Sequence, residues 1–197
     1  MKDTKTNTAK TRTERTRELI FEAFITLIHD KPFDDITITD ICEKAGIHRT
    51  TFYNHFENKN ELFSALLDYT HMDFLEAIPQ AGEATDLKSY LLGLVDVVLT
   101  SISGNKKKFS TFLSPDHNAG LKAMITSYYS DELLNAFEIL EHRGLLKVRK
   151  GMPLSFLSEF LMSGFVSVCT WWLNSGEPVT KDQLMEYFTN LARYLHI

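Results

Sequence analysis

The stretch of residues 36–59, ITITDICEKAGIHRTTFYNHFENK, constrains the fold of this chain more than any other stretch. Apolar residues recur at helical spacing before Gly46, and two phenylalanines four residues apart follow it, so the pattern predicts two short helices joined by a turn. Thr37 and Asp40 have the spacing of a capping box, in which the two residues satisfy each other's backbone amides at the start of the first helix. Gly46 suits the left-handed residue that ends this helix.

The second predicted helix has an apolar face formed by Phe52 and Phe56, which we expect to be buried. The opposite face must then point to solvent, and it is polar. Two short helices with such a face on the second make a helix-turn-helix, whose second helix can enter the major groove of DNA. The outward side chains are predicted to be Arg49, Thr50, Tyr53 and Asn54.

The same stretch resembles a known family. The order T-x-x-D-I-x-x-x-A-G-I, then T-F-Y-x-H-F, then N-K-x-E-L is similar to the DNA-binding domain of the tetracycline-repressor (TetR) family, over roughly residues 12–62. The resemblance implies that Tyr53, His55 and Lys59 contact phosphates and that the residues preceding the tyrosine read bases. The base-reading candidates are Arg49, Thr50 and Thr51, with Asn54 in addition, and Thr37 is a further DNA-binding candidate.

His48 departs from the family pattern, which usually has a serine here to cap the recognition helix. An imidazole caps a helix poorly, since serine, threonine, aspartate and asparagine are the preferred residues. Two explanations therefore remain open. Either the weak cap is tolerated, or His48 is itself directed at DNA.

The formal net charge of −5 at first argues against a nucleic-acid partner, but the distribution of charge matters more than its sum. Residues 1–17 carry a net charge of +4, whereas residues 18–60 carry −4. We therefore expect the acidic side chains to lie on faces turned away from DNA. The basic arm of residues 1–11 is either a phosphate contact or a disordered, solubilising tail.

The composition is that of an ordinary soluble globular protein, with 44% apolar and 24% charged residues in a chain of 197. Cys42 and Cys169 both lie in helical apolar patterns, which indicates buried thiols in a reducing compartment and no disulfide. The N-terminus is polar and lacks the apolar segment of a signal peptide, so a cytoplasmic location is expected.

Helical periodicity continues along the rest of the chain, and the predicted fold class is all-α with about nine helices. A first helix from Arg12 ends before Pro32, because a residue preceding proline is pushed out of the α region. A later helix begins at Asn58 and connects the two halves. We expect a flexible basic arm at 1–11, a three-helix helix-turn-helix domain at 12–57, and a helical effector-binding and dimerisation domain at 58–197.

Residues 154–173, LSFLSEFLMSGFVSVCTWWL, approach the length of a membrane span. Their polar residues form one narrow stripe that includes Glu159, which is unfavourable in a bilayer, and no second such segment is expected. We therefore predict a helix of a soluble protein, buried on several sides, and no membrane partner. The stripe comprises Ser155, Glu159, Ser163, Ser167, Thr170 and Asn174.

Two strongly apolar helices at the C-terminus exceed what one small domain can cover. Pairing with the same helices of a second copy, in a two-fold four-helix bundle, would bury the excess, and the TetR resemblance implies the same interface. A homodimer also suits DNA recognition, because a two-fold protein matches a palindromic operator. The predicted interface residues are Phe160, Ser163, Gly164, Ser167, Trp171, Leu184, Phe188 and Leu191.

Aromatic residues are frequent in the second half, and the resemblance implies an effector pocket between its helices. Core packing is the alternative explanation for each of them. The C-terminal sequence is also loosely similar to a TetR subgroup that includes regulators of dihydroxyacetone-kinase operons, in part of which the effector is another protein. The effector is therefore either a small molecule or a protein, and the candidate residues are His71, Phe74, Phe112, Tyr129, Glu159 and Trp172.

Nothing in the sequence indicates catalysis. The seven histidines include no pair at metal-binding helical spacing, and there is no glycine-rich phosphate loop, so we expect no catalytic residue, metal or cofactor. The sequence predicts a dimeric transcriptional regulator, in most of the family a repressor, that an effector releases from a palindromic operator in double-stranded DNA. The alternative is a co-regulator whose second domain docks a protein effector and whose output is activation.

Overall fold

The structure is a computed structural model that describes residues 11–75, 80–113, 119–148, 151–174, 176 and 178–194, of which the side chains of 70–75 and 108 lie outside the description. Over this part of the chain there are nine α-helices, one 3-10 turn at Phe33–Asp35 and no strand, which confirms the all-α fold. The helices are α1 (Arg12–Asp30), α2 (Ile38–Ala45), α3 (Arg49–Tyr53), α4 (Lys59–Leu75), α5 (Leu87–Gly104), α6 (Lys106–Phe112), α7 (Ala119–His142), α8 (Leu154–Asn174) and α9 (Lys181–Tyr194).

Reciprocal capping boxes begin α2, where the sequence predicts one, and α9. At the start of α2, Thr37 Oγ1 accepts a hydrogen bond from the Asp40 amide at 3.2 Å, and Asp40 Oδ2 accepts one from the Thr37 amide at 2.7 Å. Thr180 and Gln183 form the same reciprocal pair at the start of α9. The predicted basic arm lies outside the described residues except for Thr11, the N-cap of α1.

The chain divides into two compact units, the first ending at Leu66 and the second beginning at Leu67. This division falls within α4. Leu62 and Phe63, in the first two turns of α4, are 0% and 1% exposed and complete the core of the first unit. The start of α4 therefore belongs structurally with the helix-turn-helix.

The first unit has an aromatic core. The rings of Phe24, Phe33 and Phe63 contact one another in tilted or edge-on arrangements, with centroids 6.0, 6.1 and 6.3 Å apart. Phe52 and Phe56 pack at 5.9 Å between centroids, and each is at most 2% exposed. The burial expected for these two phenylalanines is confirmed, and it fixes which face of α3 points outward.

The described residues of the second unit form two core clusters. Phe137 of α7 and Tyr90 of α5 belong to the first cluster, and Trp172 of α8 and Leu184 of α9 belong to the second. Met162 of α8 packs against both. The helices of this unit are therefore not gathered around a single packed centre.

Helix α8 is less buried within one chain than its apolar sequence predicts. Phe156 and Phe160 are 58% and 63% exposed, so the expectation of burial on several sides is not met by a single chain. The expectation that no second segment of this kind exists is wrong, because α5 also has the length and apolar composition of a membrane span. Such helices are a weak indication of a membrane protein, since core helices of soluble proteins have the same properties. The buried residues of α8 are Ser158, Val166, Cys169, Thr170 and Trp172.

Candidate functional site

The turn between α2 and α3 is fixed by backbone geometry. Gly46 has φ of 66° and ψ of 36°, the predicted left-handed conformation, and the Ile47 amide donates to the Cys42 carbonyl at 3.0 Å. A Cβ atom at Gly46 would meet no neighbouring atom, so glycine is favoured here by its backbone freedom and not by close packing.

Helix α3 presents a polar face to solvent because Phe52 is fully buried on its other side. The Arg49 guanidinium donates to the Tyr53 hydroxyl at 3.4 Å, which links two side chains one helical turn apart. The structure thus brings seven of the nine predicted DNA-contacting side chains together in and beside α3, and Thr37 and Lys59 lie outside this group. His48, Arg49, Thr50, Tyr53 and Asn54 are exposed there, and Thr51 and His55 are half-buried.

His48 is the N-cap residue of α3, but its side chain makes no capping hydrogen bond. The backbone holds the first turn, since the His48 carbonyl accepts bonds from the amides of Thr51 at 2.9 Å and Phe52 at 3.2 Å. This geometry agrees with a tolerated weak cap. A contact between the exposed imidazole and DNA stays a prediction.

His55 lies near a cation that the sequence does not single out. The guanidinium carbon of Arg17, on α1, lies 5.4 Å from the ring centroid of Phe56 and 5.7 Å from that of Phe21. Burial, and then the positive charge of Arg17, lower the pKa of His55. In the sequence Arg17 is only one of several basic residues near the N-terminus, and its position follows from the packing of α1 against Phe56.

The ammonium group of Lys59 is directed into the first unit. Its Nζ donates to the carbonyl oxygens of Phe33 at 2.7 Å, Asp34 at 3.0 Å and Ile36 at 3.2 Å, and it lies 4.5 Å from the Phe33 ring centroid. An ammonium has three N–H donors, and these three carbonyls use all of them. The geometry therefore gives Lys59 a positioning role, fastening the start of α4 to the 3-10 turn that precedes α2.

The carboxylate of Asp40 accepts three hydrogen bonds at the start of α2. Its Oδ2 accepts hydrogen bonds from the amide and the hydroxyl of Thr37, both at 2.7 Å, and from the Lys31 ammonium at 2.6 Å. The hydrogen bond from Lys31, followed by those from Thr37, holds the pKa of the Asp40 carboxyl well below its usual range. Thr37 thus has its hydroxyl engaged in the cap, and Lys31 joins the end of α1 to the start of α2.

The second unit contains a solvent-open groove of about 1170 Å³, lined by side chains of α5, α7, α8 and α9. Most of the lining is apolar. Phe156 and Phe160 have near-parallel rings with centroids 6.3 Å apart, and Ile139 and Leu191 are 44% and 50% exposed in it. A groove of this volume can hold a drug-sized ligand.

The charged residues that line this groove are Glu132 of α7, Glu159 of α8 and Lys88 of α5. Burial, and then the negative charge of Glu132, raise the pKa of Tyr129 to about 12. The same two causes raise the pKa of Tyr90. The carboxylate of Glu132 therefore acts on the hydroxyls of two aromatic residues that line the same groove.

Two of the six predicted effector residues, Tyr129 and Glu159, line the groove. The side chains of His71 and Phe74 lie outside the described residues. Glu132 was missed, because one more glutamate on a helix with polar positions carries no signal in the sequence. Only the packing of α7 shows that it faces the groove.

Phe112 and Trp172, the remaining effector candidates, do not line the groove. Trp172 is 5% exposed, its Nε1 donates to the Val179 carbonyl at 2.8 Å, and the Lys106 ammonium lies 4.6 Å from the centroid of its ring. It is therefore a core residue whose polar group is satisfied by the backbone.

The predicted interface residues separate into a buried and an exposed group. Leu184 is 1% exposed in the same core cluster as Trp172, so its assignment to the interface is wrong, since it has no surface left for a partner. Phe188 is half-buried with its ring centroid 5.6 Å from that of Phe165, and Ser163 is half-buried too. The exposed members are Phe160, Gly164, Ser167, Trp171 and Leu191, and Tyr187 and Tyr194 are further exposed residues of α9.

The described part of the chain contains no group of three His, Cys, Asp or Glu side chains that could hold a metal ion. Cys42 and Cys169 are buried free thiols, as their patterns predict. Burial raises the pKa of Cys169 to about 12, which leaves it protonated and unreactive near neutral pH.

Two family models match the chain. The one described as bacterial regulatory proteins of the TetR family matches residues 20–66. The one described as the transcriptional regulator C-terminal region matches residues 91–194, which is more than half of the chain.

Among curated relatives, the dhaKLM operon transcriptional activator DhaS of Lactococcus lactis is 38% identical over 80 residues, which are 41% of each chain. The chain spans between a fifth and about two fifths of the length of the first curated relatives that it matches. The similarity to regulators of dihydroxyacetone-kinase operons is therefore supported only weakly.

Solved structures match over nearly the whole chain. NalD of Pseudomonas aeruginosa, the secondary repressor of the MexAB-OprM multidrug efflux pump, has a TM-score of 0.63 at 19% identity, covering 92% of this chain and 96% of that one. FadR of Bacillus subtilis in complex with stearoyl-CoA has a TM-score of 0.61 at 17% identity, covering 88% and 96%. These likenesses concern the fold. Together with the capped helix-turn-helix and the two family matches, they identify the chain as a member of the TetR family of bacterial transcriptional regulators.

Proposed function

We propose that the protein is a homodimeric repressor that binds a palindromic operator and leaves it when an effector occupies the groove of the second unit. The observation that carries this proposal is the exposed polar face of α3, which Phe52 and the left-handed turn at Gly46 hold in place. A surface that must match base edges has to be fixed before DNA arrives, and these two residues fix it through burial and backbone conformation.

The contacts divide into base-reading and positioning groups. We assign base reading to Arg49, Thr50, Thr51 and Asn54, and His48 is the residue next to them. Tyr53 and His55 contact phosphates of the DNA backbone. Arg17, which lies near His55, is a further cation that contacts phosphates of the same DNA strand. Lys59 positions the helix-turn-helix from inside, because its donors are already used by backbone carbonyls.

Selection of binding sites from random double-stranded DNA tests this proposal. The wild type should enrich a two-fold symmetric site. Arg49→Ala should relax selectivity at particular base pairs and cost about 1–3 kcal/mol, whereas Tyr53→Ala should weaken binding to all sequences alike. Arg193→Ala, on α9, is the matched control and should select the wild-type site. Failure of the wild type to enrich any site would refute the proposal.

The homodimer is proposed from the apolar surface of α8 and α9, where Phe160, Trp171 and Tyr194 are 63%, 42% and 84% exposed. Apolar area of this kind on a small domain is favourably covered by a second copy related by two-fold symmetry. Phe160→Glu should convert a dimer to a monomer in light scattering at micromolar concentration. Leu19→Glu, at a 49% exposed position of α1, should remain dimeric, and a monomeric wild type would exclude this surface as an interface.

The link from groove to DNA is proposed to run through α7 and α4. The Tyr128 hydroxyl donates to Asp68 Oδ1 at 2.7 Å, and the next residue of α7, Tyr129, lines the groove. Asp68 lies on α4, nine residues after Lys59 in the same helix. An effector that displaces α7 would therefore move α4 and, through Lys59, the turn before α2.

Tyr128→Phe tests this link. The variant should bind the selected operator as the wild type does but lose part of the release that an effector causes. Tyr187→Phe, on α9, should respond normally. Equal release from both variants would remove Tyr128 from the mechanism.

The proposal includes that the protein acts as a repressor and is located in the cytoplasm. DhaS is described as an activator and NalD as a repressor, so relatives of both kinds exist. An operator that overlaps a promoter is blocked by a bound dimer, which is the simplest outcome for a protein whose ligand weakens DNA binding. A reporter gene downstream of the selected site should rise when the protein is deleted, and a fall would assign activation instead.

A further inference from the structure

We propose that the groove of the second unit binds a lipophilic organic cation, a molecule with an apolar body and a positive charge. The inference rests on the proposed role of the groove as the effector site, and it adds the charge of the ligand. It comes from the balance of charged and aromatic side chains that line the groove.

No ion pair between described residues neutralises the two carboxylates of the groove. Among the described residues, neither Glu132 nor Glu159 forms an ion pair, and the only hydrogen bond that the side chain of Glu159 makes there is from Ser163 Oγ to its Oε1, at 3.2 Å. Lys88 is the one cation of the described lining, against two anions. Glu159 also borders a smaller cavity of about 460 Å³ together with Lys122, so Glu132 is the carboxylate that belongs to the groove alone.

Aromatic faces accompany these carboxylates. Tyr129 lines the groove beside Glu132, and Tyr90, which is 5% exposed, lies behind it in the core; the charge of Glu132 acts on both hydroxyls. Phe156 and Phe160 line it on α8, the helix that carries Glu159. An aromatic face attracts a cation through its quadrupole, and a carboxylate attracts it through its charge, so both kinds of group favour the same ligand.

An anionic ligand fits this lining poorly. FadR of Bacillus subtilis shares the fold and was solved with stearoyl-CoA, which carries several phosphate charges. Recognition of phosphates requires arginine or lysine, and the described lining offers Lys88 alone while presenting two carboxylates. The apolar walls would accept an acyl chain, but the charges would repel its head group.

A second copy of the chain is the competing occupant, because Phe160, Gly164 and Leu191 belong both to the groove and to the proposed dimer surface. Tyr129 and Glu132 lie on α7, outside that surface. The cation site is therefore assigned to Tyr129 and Glu132 of α7, while Lys88 of α5, which also lines the groove, has its charge shared with Asp86, whose pKa it lowers.

Tetraphenylphosphonium and tetraphenylborate are the probes, since they have the same shape and opposite charge. Calorimetric titration of the full-length protein should give a dissociation constant at least tenfold lower for tetraphenylphosphonium. Equal or tighter binding of tetraphenylborate would overturn the proposal, because apolar burial alone would then explain the affinity.

Glutamate-to-glutamine variants locate the charge. Glu132→Gln should weaken tetraphenylphosphonium binding by about three- to tenfold, as expected for loss of one partly exposed charge contact. Glu159→Gln should weaken it less, and the double variant should bind the two probes alike. Glu138→Gln is the matched control, because it makes the same change at an exposed position of α7 away from the groove. A Glu132→Gln protein that binds like the control would overturn the assignment, provided that both melt at the wild-type temperature.

Two further measurements separate this inference from the proposed function. Binding of tetraphenylphosphonium that weakens as dilute monomer associates into dimer would assign the groove to the second copy and overturn the inference. Operator binding, measured by fluorescence anisotropy, tests the proposed function separately. If the protein binds its selected DNA site but does not bind tetraphenylphosphonium, the proposed function stands and the cation site is refuted. If the protein binds the cation without releasing DNA, the cation site is confirmed, but its proposed role in releasing the operator is refuted.

Discussion

The two units of this protein use aromatic residues in opposite ways: the first buries them in its core, and the second exposes several of them in a groove. Aromatic side chains fill the first unit, where Phe24, Phe33 and Phe63 meet ring to ring and none is more than 4% exposed. In the second unit, Phe156 and Phe160 are more than half exposed and line a groove between two separate core clusters. Aromatic rings thus make the first unit rigid by close packing, whereas in the second unit they form the accessible walls of a groove.

This difference teaches which substitutions should matter where. A surface that matches DNA must be rigid, and close packing makes it so. A unit that accepts a ligand must keep apolar surface accessible until the ligand or a partner covers it. Loss of a buried ring should therefore destabilise the first unit strongly, whereas loss of an exposed groove ring such as Phe160 should leave the stability of the second unit almost unchanged.

The largest expected effect is that of Phe24→Ala, which should lower the free energy of unfolding of the first unit by about 3–5 kcal/mol. Phe160→Ala, at a 63% exposed ring, should change the stability of the second unit by no more than about 0.5 kcal/mol in the monomer. Both tryptophans of the chain lie on α8, so fluorescence reports on the second unit, and hydrogen exchange in α2 and α3 reports on the first. Similar losses for both variants would break the contrast between a filled and an open unit.

Lys59→Met gives the next largest effect. It leaves three carbonyls without their donor and should destabilise the first unit by about 2 kcal/mol. DNA binding should weaken, yet the dependence of affinity on salt should keep its slope, because a positioning residue releases no counterion. Arg17→Met should instead lower that slope by about 0.9 for one phosphate contact. A drop of this size for Lys59→Met would show that its ammonium contacts DNA.

A matched pair of capping boxes gives a smaller effect. Thr37→Ala and Thr180→Ala each remove the same reciprocal cap and should each cost about 1 kcal/mol. Only the first should weaken operator binding, since it loosens the helix that supports α3. Calorimetric melting and anisotropy, measured on both variants, check the two parts. Equal losses of DNA affinity would mean that α9 also positions the DNA-binding surface.

Local chemistry explains why so much of the first unit could be predicted. The cap at Thr37, the left-handed turn at Gly46 and the burial of Phe52 each depend on a few neighbouring residues, and the structure contains all three. The positioning role of Lys59 depends on carbonyls more than 20 residues away and has no local signature. The TetR resemblance assigned this lysine to phosphates, whereas the geometry occupies its donors.

Prediction was weaker in the second unit, because there the face that each helix buries depends on distant partners. The sequence predicts Leu184 and Leu191 to lie at the same interface, but Leu184 is in the core and Leu191 is 50% exposed. Trp172 is an aromatic residue with a polar group, as an effector contact would be, but its Nε1 donates to the Val179 carbonyl within the core. Glu132 shows the reverse case, since only three-dimensional packing distinguishes it from other helical glutamates.

The smallest expected difference between the two units is in their loss of stability at low pH. It depends on one carboxyl in each unit, Asp40 in the first and Asp86, the N-cap of α5, in the second. The Lys31 hydrogen bond and then the Thr37 bonds hold the pKa of Asp40 well below its usual range, whereas the backbone and side-chain bonds of Ser89 lower that of Asp86. A carboxyl whose pKa is lowered by folding adds stability above its unfolded pKa of about 4, and this stability is lost as the pH falls through the lowered value.

Both units should therefore weaken below pH of about 4, and the first should lose more through Asp40, because this carboxyl accepts a direct hydrogen bond from an ammonium, whereas Lys88 acts on Asp86 only through its charge. Asp40→Asn should flatten the acid sensitivity of the first unit, measured by hydrogen exchange in α2. Asp86→Asn should flatten that of the second unit to a smaller degree, measured by fluorescence. The comparison would reverse if Asp86→Asn removed the larger part, because the contacts of Ser89 would then outweigh the bridge between Lys31 and Asp40.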